Sequence, residues 1–225
     1  MRNFQFNNGE YYHIYNRGVD KREIFLNEKD YLRFLKSISE YNNNSLYEQR
    51  VFIRNRNHKE RGKELSSEAS ELSSYLSNLP KFVEIISYCL ISNHYHFLLK
   101  QLVNNGISKF LHKLDLGYTH FFNKKYSRTG SLFQGTYKAI QVTDYSYLLK
   151  LLVYVNCNYK IHNLGGAKDW VWSSYLDSVG LKNGTLCNLE IIKEEFEGLK
   201  NFKSFCEEII PDIKESKQIK KYLLE

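Results

Sequence analysis

The chain has 225 residues, 42% of them hydrophobic, 25% charged and 15% aromatic, with only 2 Pro. That balance excludes collagen-like, mucin-like and generally disordered chains, and it is rich enough in apolar residues to build a core without disulfide staples. Lys and Arg outnumber Asp and Glu by 32 to 25, a formal net charge of +7, which suggests a polyanionic partner, nucleic acid or a membrane surface.

Cys89, Cys157, Cys187 and Cys206 form no C-x-x-C pair, which argues against zinc ribbons and a dense disulfide framework. The first ten residues carry no apolar run of the signal-peptide kind. No stretch approaches the roughly 18 apolar residues of a bilayer span. The expectation is a cytoplasmic protein with no membrane partner.

In chain order, residues 11–17 are aromatic and branched and end at Gly18, the pattern of a strand entering a turn. Residues 28–41 place Tyr31, Leu32, Leu35, Ile38 and Tyr41 at helical spacing, and Asn42 to Asn44 stop that helix. Residues 54–80 combine a basic stretch with a Ser-rich, short amphipathic one and read as an insertion or lid. Two strand-like runs follow, 81–91 and 94–100, joined by Ser92-Asn93. An apolar stripe at 107, 110, 111, 114, 118, 121 and 122 predicts a helix over 106–126. A Gly-containing loop then leads to a short strand, TYKAIQV, and to a helix over about 144–160, with Thr143 or Asp144 as N-cap. Beyond Gly165-Gly166 come DWVWSSY and a Lys/Glu-rich C-terminal helix.

This order predicts an α+β fold: a ferredoxin-like or RRM-like antiparallel sheet with helices on one face, plus a C-terminal helical extension. The expected division is a domain over 1–165, containing the 54–80 insertion, and an extension over 166–225.

His94-Tyr95-His96 is the sharpest local feature. Strand side chains alternate faces, so both imidazoles project to one side and suit a shared metal ion or phosphate. They equally suit a pair of histidines satisfied by local hydrogen bonds, so the spacing alone leaves both readings open. Tyr154 and Asn158, four residues apart on the 144–160 helix, share a face among apolar flanks. A hydroxyl and an amide presented together suit a nucleophile and a ligand, or a packed Tyr bonded elsewhere. Between 101 and 142 there are six basic residues, Lys109, Lys113, Lys124, Lys125, Arg128 and Lys138, against one acid, Asp115. Interleaved aromatic residues make that window resemble a binder of single-stranded nucleic acid, although a solvated helix face accounts for the charges alone.

Four ordered blocks, YHIYNRG, LISNHYHFLL, RTGSLFQGTYKAI and YSYLLKLLVYVNCN, resemble the HUH single-tyrosine transposases, in particular the REP-associated tyrosine transposases. The likeness spans roughly residues 11–165, and DWVWSSY also fits it. It implies that His94, His96 and Asn158 bind a divalent ion, Mg2+ or Mn2+. It implies that Tyr154 attacks a DNA phosphate to give a 5′-phosphotyrosine and a free 3′-hydroxyl, and that a second attack rejoins strands. The implied partner is single-stranded or hairpin DNA, contacted by Arg17 and the six basic residues above, with the protein a nucleoid-associated monomer or homodimer.

Ser92 and Tyr159 stand where the family commonly has Pro, and Tyr145, Tyr147 and Tyr159 remain rivals for the nucleophile. A non-catalytic nucleic-acid-binding module on the same fold is the alternative, and a structural metal-binding protein is a third.

Overall fold

The computed structural model of the chain describes residues 5–43, 81–165 and 170–215. In chain order these hold β1 (Tyr11–Arg17), α1 (Glu28–Tyr41), β2 (Val83–Ile91), β3 (His94–Gln101), α2 (Gly106–Lys125), β4 (Lys138–Val142) and α3 (Tyr145–Asn156). The short α4 (Asn158–Ile161), α5 (Tyr175–Ser178) and α6 (Glu190–Glu195) follow, then α7 (Leu199–Glu215). The insertion or lid expected at 54–80 lies outside the described residues.

The strands form one antiparallel sheet in the order β2-β3-β1-β4. With α1 after β1 and α2 after β3, this is the ferredoxin-like α+β arrangement that the sequence predicts. Strand alternation divides the sheet into two faces. Tyr12, Ile14, Tyr95, Phe97 and Leu99 join the core under α1 and α2, whereas Leu98 and Val142 join a second core with α3 and α7. In β2 the register slips between Ile85 and Ser87. That bulge turns Tyr88 and Leu90 toward the first core and Cys89 and Ile91 toward the second.

The sequence places the helices on one face of the sheet. The structure places α1 and α2 there and lays α3 across the opposite face, against β2, β3 and β4. The reason is in the composition of α3: Leu148, Leu151, Leu152, Val153 and Val155 are all buried, too many for a helix resting on one stripe. The sheet covers part of that circumference and α7, through Phe202, Cys206 and Ile213, covers more.

The polar ties are specific. Asp30, buried in the first turn of α1, accepts from Leu26 N at 2.8 Å, from the Tyr126 hydroxyl at 2.7 Å and from Lys125 Nζ at 2.6 Å, joining the start of α1 to the end of α2. Asn42, which ends α1, donates to Val83 O at 2.8 Å and accepts from Val83 N at 3.0 Å. Asp144, one of the two caps expected, accepts from Tyr147 N at 2.7 Å and starts α3.

Candidate active site

β1 and β3 are adjacent, with Tyr15 opposite His96 and Arg17 opposite His94. Cross-strand neighbours share a face, so His13, Tyr15, Arg17, His94 and His96 all project toward α3. The His94 and His96 rings meet edge to face at 5.1 Å, and the His13 ring stacks on His96 at 5.2 Å. Tyr154, from the last turns of α3, sets its ring edge-on against His96 at 5.4 Å and His13 at 5.7 Å.

The predicted helix over 144–160 is two pieces. α3 ends at Asn156 and is capped by Cys157, whose amide still donates to Val153 O at 2.9 Å, and α4 begins at Asn158. Asn156 is bound at this junction: its amide donates to Leu152 O at 3.0 Å and its carbonyl accepts from Ser174 Oγ at 2.6 Å and Ser178 Oγ at 3.1 Å. The break leaves Asn158 one turn beyond Tyr154. Its amide acts electrostatically on both Tyr154 and His94, but neither contact has hydrogen-bond geometry.

Each ligand-type histidine is held by one nitrogen. Nδ1 of His94 lies 2.6 Å from Asn93 Oδ1, and Nδ1 of His96 lies 2.9 Å from Nε2 of His13. Their Nε2 atoms, the Tyr154 hydroxyl and both amide atoms of Asn158 are buried with no hydrogen-bond partner. Buried polar groups are normally paired, so a cluster of five such atoms is an unusual departure that calls for a missing partner. Burial pushes the imidazole of His94 down to about 3, with His162 adding to the effect, and pushes that of His96 well below its ordinary value. Both therefore stay neutral, as metal ligands must. Burial likewise raises the Tyr154 phenol, with Asn158 opposing the rise.

Among the described residues no group of three or more His, Cys, Asp or Glu is arranged for a metal. The donor set here, two imidazole nitrogens and one amide oxygen, fits a divalent cation only when Asn158 is included. Open positions would then remain for water or a substrate oxygen.

The rival tyrosines lie elsewhere or alongside. Tyr145 is half exposed at the start of α3, where partial burial and then Glu195 raise its hydroxyl to about 12. Tyr159 packs its ring against Tyr175 at 6.2 Å within the second core. Tyr147 is close enough to Tyr154 to affect it, as is Tyr15, which stacks on His96 at 5.7 Å.

The seven basic residues expected to meet DNA fall in different places. Arg17 and Lys138 share the histidine face, Lys138 through its pairing opposite Tyr15. Arg17 donates to the side chain of Gln134, in the loop that follows α2. Lys109 and Lys113 lie over Phe82 on α2, across the sheet from the histidines, and Lys124 is exposed near the end of that helix. Arg128 braces the following loop through Asn123 Oδ1 at 2.7 Å and Ser131 O at 2.9 Å. Lys125 is committed to the buried Asp30, so its charge is neutralised within the fold.

Three residues escape the sequence reading. His13 stands two residues from Tyr15 and Tyr11, a period-2 signal that acquires meaning only once β1 is known to lie beside β3. His162 follows Asn158 by the same four-residue step that separates Tyr154 from Asn158, and its ring lies 5.0 Å from His94. Asn93 looks like a turn residue until its carbonyl is seen on His94.

The model of the IS200-like transposase family matches residues 42–158, more than half the chain, a span that holds His94, His96, Tyr154 and Asn158. A solved structure of a REP-associated tyrosine transposase bound to a REP hairpin superposes with a TM-score of 0.53 at 11% identity, covering 84% of this chain and 88% of that one. This likeness concerns the fold. A tRNA(His) guanylyltransferase from Saccharomyces cerevisiae aligns with a TM-score of 0.37 at 12% identity, over 87% of this chain and 74% of that one, too weakly to carry an argument. No curated protein matches the sequence. The chain belongs to the IS200-like family and is a tyrosine transposase.

Proposed function

We propose that this transposase cleaves and rejoins single-stranded or hairpin DNA through Tyr154, with a divalent cation held by His94, His96 and Asn158. The observation that carries this reading is the convergence of partnerless Nε2 atoms, a partnerless amide and a partnerless phenol in one buried cluster. A bound Mg2+ or Mn2+ ion supplies charge that polarises the scissile phosphate. In the first transfer the Tyr154 hydroxyl gives up its proton and its oxygen bonds to phosphorus. The bond from phosphorus to the 3′-oxygen breaks, and that oxygen takes up a proton and leaves as a 3′-hydroxyl. In the second transfer a 3′-hydroxyl attacks the phosphotyrosine, and Tyr154 regains its phenol. One phosphodiester-type bond forms for each one broken, so no external energy is required.

Tyr154 is 1% exposed, so a strand gains access only when side chains over the cluster shift. Arg17 and Lys138 then hold the strand's phosphates on the histidine face, and Lys109, Lys113, Lys124 and Arg128 extend the positive surface round the α2 side. The REP hairpin carried by the structural relative makes a hairpin-bearing single strand the substrate to try. Incubated with such a strand and Mn2+, the wild type is expected to cleave. Tyr154→Phe and His94→Ala are each expected to lose cleavage by about 1,000-fold or more, the scale of removing a nucleophile or a metal ligand. Cleavage that survives Tyr154→Phe removes Tyr154 as nucleophile, and cleavage that survives His94→Ala removes the metal assignment.

A further inference from the structure

We infer that His13 is a positioning residue that fixes the tautomer of His96 and so aims the His96 Nε2 lone pair at the divalent cation. The inference rests on the cation-holding role proposed above for His94 and His96. β1, which carries His13, lies outside the 42–158 span that the family model matches.

The two ligand histidines are built alike but held differently. Nδ1 of His94 faces the carbonyl oxygen of Asn93 at 2.6 Å. An amide oxygen only accepts, so the proton of His94 sits on Nδ1 and its Nε2 carries a lone pair. Nδ1 of His96 faces another imidazole nitrogen, His13 Nε2, at 2.9 Å, and the contact has a single proton to place. With that proton on His96 the Nε2 lone pair is free for a cation. With it on His13, His96 carries its proton on Nε2 and has no lone pair there to offer a cation.

His13 is suited to the accepting role. It is wholly buried and stacked nearly parallel to His96, with an interplanar angle of 17°. Its Nε2 is the nitrogen turned to His96, and in the neutral ring that nitrogen can serve as an acceptor. Tyr154 packs edge-on against both rings and keeps them in register. A second-layer hydrogen bond of this kind sets ligand orientation, and its loss typically weakens metal binding by roughly 10–100-fold.

The test needs no DNA. Long-range 15N–1H correlation spectra of the metal-free wild type are expected to show the His96 proton on Nδ1. A proton found on Nε2 overturns the inference without any variant. Mn2+ titrations then compare His13→Leu, His13→Gln and His94→Ala. His13→Leu is expected to bind Mn2+ roughly 10–100-fold more weakly, while His13→Gln, whose amide oxygen can accept from His96, recovers most of the loss. Wild-type affinity in His13→Leu alongside lost affinity in His94→Ala overturns the role of His13 and leaves the metal site standing. So does a His13→Gln variant as weak as His13→Leu. Unchanged affinity in His94→Ala overturns the metal reading and this inference with it.

Discussion

At the scale of the residue, the molecule's polar groups divide into those that are paired and those left open. Asp115 is firmly paired, accepting from the Tyr95 hydroxyl at 2.8 Å and Asn16 Nδ2 at 3.2 Å, yet burial still pushes its carboxyl up to about 7. The unfolded chain holds that proton only below the usual value of 3.8, so between about 4 and 7 the folded protein binds the extra proton. Stability from this group is therefore complete below pH 4 and is lost as pH rises through 7. Asp115→Asn is expected to abolish that part of the slope in thermal melts taken across pH 4 to 8. A variant whose slope matches the wild type's contradicts the account. The His-x-His spacing and the four-residue step from Tyr154 to Asn158 were legible in the sequence because both depend on local geometry. The pairing of His13 with His96 was not, since 83 residues separate them and only the order of strands brings them together.

Elements were legible wherever one periodicity ran unbroken. The predicted helix over 28–41 coincides with α1, and the stripe over 106–126 with α2. The bulge in β2 and the break at Cys157 were not legible, because each is imposed by packing on two sides. The ties between elements make their own predictions. Asp30→Ala removes the shared acceptor of α1 and α2 and leaves Lys125 and Tyr126 without it, at an expected cost of about 3 kcal/mol in denaturant unfolding. A loss below about 1 kcal/mol, the worth of an exposed ion pair, contradicts the structural role given to Lys125. At the start of α2, a Cβ on Gly106 would lie 2.2 Å from the carbonyl oxygen of Phe82. Backbone cannot swing aside as a side-chain tip can, so Gly106→Ala is expected to cost about 2 kcal/mol or more. An unchanged unfolding midpoint overturns this close approach.

Across the whole molecule, a +7 chain concentrates six of its cations between 101 and 142, but the fold distributes them over both sides of the sheet. Charge density was legible in the sequence; its division was not, because the position of α3 opposite α2 follows from burial of a nearly all-apolar helix. Among the described residues no helix is long and apolar enough to cross a membrane. If Arg17 and Lys138 meet phosphates of a single strand, replacing both with Ala lowers the slope of log affinity against log salt by about 1.4, close to 0.7 for each contact. Lys125→Ala, by contrast, is expected to leave that slope unchanged while lowering stability. A salt slope that responds to Lys125 but not to Arg17 and Lys138 reverses the placement of the strand. The central claim is that one phenol among the 18 tyrosines performs the chemistry. Mass spectrometry of peptides from the protein trapped on a hairpin-bearing single strand with Mn2+ tests it most directly. The account predicts a nucleotide adduct on the peptide residue Tyr154; an adduct on Tyr15, Tyr145, Tyr147 or Tyr159, or cleavage with no adduct at all, contradicts it.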